Sequence, residues 1–90
     1  MKFVVERHLP GITQDQLVGA ARAARDQARA STSAGAPVTY LRSTFVPEGE
    51  RCYCLFESGN AEAVRAVNEK AGLPYTNITE ALHLASEDLG

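Results

Sequence analysis

Ninety residues with 44% apolar and 22% charged side chains describe one ordinary globular domain, and they exclude a disordered chain, a collagen-like repeat and a pair of separate cores. A formal net charge of -2 and a pI near 5.6 give no attraction to phosphate backbones; Arg22, Arg25 and Arg29 share their segment with Asp15 and Asp26, so nucleic acid is not an expected partner. No apolar run reaches bilayer length and charges interrupt the start at Lys2, Glu6 and Arg7, so no membrane partner or export is expected, and Cys52 and Cys54 read as reduced thiols of a cytoplasmic protein.

Phe3, Val4 and Val5 open a first strand over residues 2 to 8, which Pro10-Gly11 cannot continue. Thr13 and Gln16 have the spacing of a capping box, and Asp15 places negative charge where the helix dipole is positive. The helix predicted from residue 14 to about residue 30 carries a narrow stripe of Leu17, Ala20, Ala21, Ala24 and Ala28, small enough to lie close on a sheet. Ser31 to Pro37 lacks periodicity and reads as a mobile connection.

Val38 to Val46 and Arg51 to Glu57 are rich in β-branched and aromatic residues, and Pro47-Glu48-Gly49-Glu50 between them makes a hairpin. Asn60 caps a second helix with Val64, Val67 and Ala71 on its buried stripe; Gly72 and Pro74 end it. Ile78 to about Leu84 is the last predicted strand, followed by a polar, acidic tail. Two β-α-β halves joined through a hairpin predict an α+β fold, a ferredoxin-like βαββαβ sandwich spanning residues 1 to 90, with an antiparallel four-stranded sheet and both helices on one face. The uncovered face predicts a homodimer, as in dimeric α+β barrels, because Tyr40, Cys54 and Phe56 are expected to share it.

Phe3-Val4-Val5-Glu6-Arg7, the hairpin from Val38 to Glu57 with Gly49 and Cys54, and Ala71-Gly72-Leu73-Pro74 together resemble a small bacterial family of domains of unknown function that includes a nickel-binding, ferredoxin-like protein. The resemblance covers most of the chain and implies a ferredoxin-like dimer that binds a transition metal, with nickel favoured. The family's hairpin often carries a histidine where this chain has Arg42, whose guanidinium cannot ligate a cation.

Alternation puts Val4, Glu6 and His8 on the open face of the first strand and Phe3 and Val5 toward the helices. In the third strand Tyr53 and Leu55 are expected inside, leaving Cys52, Cys54 and Phe56 on the open face. Glu6, His8, Cys54 and His83 are then candidate ligands, since imidazole, thiolate and carboxylate suit nickel, zinc or copper. The plainer readings are buried packing cysteines, a Glu6 paired with Arg42, a rim His8 and a hydrogen-bonded His83. No nucleophile elbow, phosphate loop or metalloprotease helix occurs. An enzyme of the dimeric-barrel type, an oxygenase or isomerase without cofactor, would use Glu6 or His8 as a base, Arg42 to hold an anionic substrate and Tyr40 to line the pocket. A dimeric interaction module without a ligand is the remaining alternative.

Overall fold

The computed structural model describes residues 1–90, in the order β1 (Lys2–His8), α1 (Gln14–Ser33), β2 (Val38–Val46), β3 (Arg51–Ser58), α2 (Ala61–Lys70) and β4 (Asn77–Ala81), with a 3-10 turn at Ser86–Leu89. Thr13 caps α1 reciprocally: its hydroxyl accepts from the Gln16 amide and the Gln16 side chain accepts from the Thr13 amide. Asn60 caps α2 by accepting from the Ala63 amide at 2.8 Å. The hairpin turn needs Gly49, whose φ of 83° lies in the left-handed region.

The sheet runs β2-β3-β1-β4 with every neighbour antiparallel, which is the ferredoxin-like order. Directly paired residues share a face, so the register assigns both surfaces. Phe3 opposite Phe56, Val5 opposite Cys54 and Arg7 opposite Cys52 face the helices. Val4 opposite Leu55 and Glu6 opposite Tyr53 face away from them. The core joins Phe3, Val5, Cys54 and Phe56 to Ala24 and Ala28 of α1 and Val64 and Val67 of α2.

Four sequence expectations change. The orientation of β3 is the reverse of that predicted: Cys52, Cys54 and Phe56 are buried under the helices, and Tyr53 and Leu55 lie on the open face. The charged ends Arg51 and Glu57 have the same parity as Tyr53 and Leu55, and that polar pair fixes which face meets solvent. Tyr40, Cys54 and Phe56 do share a face, but it is the covered one, and Tyr40 packs edge-on against Phe56 at 5.6 Å.

A β-bulge between Tyr40 and Arg42 separates two residues that regular alternation would place on one face. Tyr40 therefore points to the helices and Arg42, opposite Leu55, to the open side. The fourth strand ends at Ala81, opposite Lys2 at the start of β1, and Leu82, His83 and Leu84 leave the sheet. The first helix continues through Ser33. The Thr32 hydroxyl ties the following connection down, sharing its one proton between the carbonyls of Ala28 at 3.0 Å and Val38 at 2.9 Å and accepting from the Val38 amide at 3.0 Å.

Candidate functional site

On the open face, β1 presents Glu6, whose carboxylate accepts from the Thr76 hydroxyl and the Asn77 amide, each at 3.3 Å. Beyond β4 the chain turns back over the sheet and brings His83 to Arg42 of β2, with Arg42 Nη2 at 2.8 Å from Nε2 and 3.1 Å from Nδ1. A permanently charged guanidinium only donates, so the contact requires a ring nitrogen with a free lone pair. Arg42, His83, Val4, Thr44, Tyr53 and Leu55, with Cys54 between the last two on its strand, frame a shallow cavity of about 170 Å³.

The expected pairing of Glu6 with Arg42 does not form, because His83 takes the guanidinium and β4 takes the carboxylate. His8 is exposed at the far end of β1, opposite Arg51. The row holding His8 lies roughly 13 Å along the strand from that of Val4, beneath His83, at about 3.3 Å per residue. Cys54 lies on the opposite face. Glu6, His8, Cys54 and His83 therefore do not assemble into one cluster, and no three His, Cys, Asp or Glu side chains of the chain converge as metal ligands would. Tyr40 does not line the Arg42 cavity, because the bulge sends it to the covered side.

The covered face holds the group that alternation placed inside but composition did not flag. Arg7 is 1% exposed, with Nη2 donating to Asn68 Oδ1 at 2.8 Å and Nη1 to the Pro74 carbonyl at 3.0 Å. Asn68, fully buried, returns its own Nδ2 to the Val64 carbonyl at 2.9 Å. Cys52 Sγ lies 3.8 Å from Cys54 Sγ, Ser43 Oγ lies 2.9 Å from Cys54 Sγ, and Tyr40 Oη lies 2.7 Å from Ser43 Oγ.

These contacts push the two thiols in opposite directions. Cys54 is drawn down to about 5 by hydrogen bonding from Cys52, the Arg7 charge and the Ser43 hydroxyl, against the effect of burial. Cys52, which supplies a donor to its neighbour and is itself desolvated, is raised far above the ordinary thiol value. The two titrate as a coupled pair in which Cys54 is the more acidic member. Burial raises the Tyr40 phenol, keeping it a donor. The signal in the sequence was the shared parity of Arg7 with Phe3 and Val5, a charge on the apolar side of a strand.

A sheet in the order β2-β3-β1-β4 under two helices, with β1 and β3 at its centre, defines a ferredoxin-like α+β domain. The profile of the family described as "Nickel responsive protein SCO4226-like" matches residues 3–81, and the chain belongs to that family. It is similar to SCO4226 from Streptomyces coelicolor A3(2), known from a crystal structure, with 31% sequence identity and a TM-score of 0.77 over 94% of this chain and 100% of that one. No curated protein matches.

Proposed function

We propose that this chain is a small, non-enzymatic, cytoplasmic nickel responder that works as a homodimer and holds the metal between the open faces of two copies. The observation that carries the reading is that Glu6, His8 and His83 all lie on the open side of the sheet, spread across it rather than clustered within one chain, with Tyr53 exposed on the same face. Imidazole and carboxylate are suitable donors for nickel, and donors spread over one face meet in a single centre only when a second copy brings its own. Membership of a nickel-responsive family supports the choice of metal.

One chain alone does not fit a metal centre. His83 is engaged by Arg42, Glu6 by Thr76 and Asn77, and no third donor stands beside either. A dimer doubles the donor set, and Arg42 must release His83 before that imidazole can ligate. The enzyme reading is less well supported, since the cavity beside Arg42 measures about 170 Å³, below the roughly 300 Å³ at which small-molecule sites begin, and the larger clefts beside Tyr40 (about 460 Å³) and Phe45 (about 350 Å³) include neither Glu6 nor His8 as a base.

Metal content measured after nickel loading and dialysis, with light scattering for mass, tests the proposal. Wild type should retain nickel as a dimer, and His83→Ala and Glu6→Gln should each weaken retention by about tenfold or more, the scale seen when support to a metal site is removed. Nickel no higher than in the dialysis buffer, or equal retention by both variants, would refute it.

A further inference from the structure

Arg7 is a buried cation with no carboxylate beside it: Asn68 and Pro74 offer it carbonyl oxygens, and none of the chain's ion pairs includes it. An uncompensated buried charge costs several kcal/mol, so a counter-charge on the same face is favoured. The ionisable groups that feel Arg7 are the thiols of Cys52 and Cys54 and the Tyr40 phenol. Cys52 lies directly opposite Arg7 in the β1–β3 register, and Cys54 lies one same-face pair further along.

Cys54 is the better anion. The Ser43 hydroxyl is 2.9 Å from its sulfur, the Cys52 thiol stands at 3.8 Å, and Tyr40 at 2.7 Å from Ser43 Oγ can donate to Ser43 so that Ser43 donates to sulfur. Ala20 and Ala21 of α1 are too small to close the space above, leaving a cavity of about 10 Å³ against Arg7, Cys52 and Cys54. That volume is at the lower limit for one water and smaller than hydrogen peroxide, so the oxidant reaches sulfur only when the Ala20 and Ala21 cover moves aside.

We propose that Cys54 and Cys52 form a peroxide-responsive redox pair, with Cys54 as the nucleophile, Arg7 as its buried counter-ion and Cys52 as the resolving thiol. The Cys54 thiol first releases its proton to solvent and the thiolate attacks one oxygen of hydrogen peroxide; the S–O bond forms as the O–O bond breaks, and the departing hydroxide takes one proton back from solvent to become water. Cys52 then attacks the Cys54 sulfenic acid. The S–S bond forms, the S–O bond breaks, and the hydroxyl leaves with the Cys52 proton as a second water. Two thiols and one peroxide become one disulfide and two waters, so sulfur loses the electrons that oxygen gains.

Two residues apart on one strand, the Cα atoms are separated by about 6.6 Å, near the long limit for a disulfide. The bond is therefore strained and readily reduced by an external dithiol, as suits a reversible switch. The pair lies on the face opposite the proposed nickel surface and does not depend on it.

The test treats the full-length protein with stoichiometric hydrogen peroxide at neutral pH and reads intact mass, thiol count and peptide maps. Wild type should lose two hydrogens, with Cys52 and Cys54 linked in one peptide, and regain them with dithiothreitol. Cys52→Ser should give a dimedone-reactive sulfenic acid at Cys54, Cys54→Ser should stay unmodified, and Ser43→Ala should slow the reaction about tenfold, one charge-assisted hydrogen bond's worth. Circular dichroism of each variant establishes that it is folded. Thiols that resist peroxide in the folded wild type and react only in urea would overturn the proposal, as would disulfides formed only between chains.

Discussion

Replacing Asn68 by Ala removes the side chain that fixes Arg7 in the core. The lost bond is one to a charged donor, Arg7 Nη2 at 2.8 Å, in a site with no solvent access, and such bonds are worth about 1.5–3 kcal/mol. The guanidinium then faces a void, which brings the expected loss to about 3 kcal/mol, from a total near 5–13 kcal/mol for a domain of this size. The melting temperature should fall by roughly 12–24 °C. Asn68→Asp is the informative companion: it keeps the acceptor, supplies a carboxylate beside Arg7 and gives up only the donor to Val64, so it should cost less than Ala. It should also slow alkylation of Cys54, because Arg7 then has another counter-ion. Urea unfolding followed by circular dichroism, with iodoacetamide labelling of the folded protein, measures both. An Asn68→Ala loss below about 0.5 kcal/mol would refute the view that Asn68 holds a buried cation.

Cys54 releases its proton at about 5 in the folded chain and at about 8.5 when unfolded, so its stabilising contribution is complete above about pH 8.5 and lost as pH falls through 5. Wild-type stability should therefore rise with pH across that window relative to Cys54→Ser, by up to about 1.4 kcal/mol per pH unit; the raised Cys52 reverses the trend at higher pH, and parallel curves would contradict the assignment. Thr32→Val removes the hydroxyl that links α1 to the start of β2 and should cost about 1–2 kcal/mol in urea unfolding. Tyr53→Lys puts a charge at the centre of the open face and should yield monomers by light scattering without loss of helical signal.

Most of the fold was legible because its signals are local. The Thr13 and Asn60 caps, the Gly49 turn and the β-branched runs each specify their element with neighbours only a few residues away. The faces of β3 were harder, since Cys52-Tyr53-Cys54-Leu55-Phe56 is apolar at both parities and only Arg51 and Glu57 distinguish them. The bulge between Tyr40 and Arg42 and the return of His83 over the sheet were not legible, because they arise from pairing and packing between segments far apart in sequence. Arg7 was visible on its strand, but its burial depends on Asn68 and Pro74, more than sixty residues away.

Native mass spectrometry of the tag-free protein titrated with nickel tests the central claim most directly, because it reads metal and chain number in the same ion. Nickel carried by two-chain ions, with monomer ions metal-free and His83→Ala depleted of both metal and dimer, is the predicted result. Nickel on monomer ions at the same occupancy as on dimers, or dimers that take up no nickel, would contradict a metal held between two open faces.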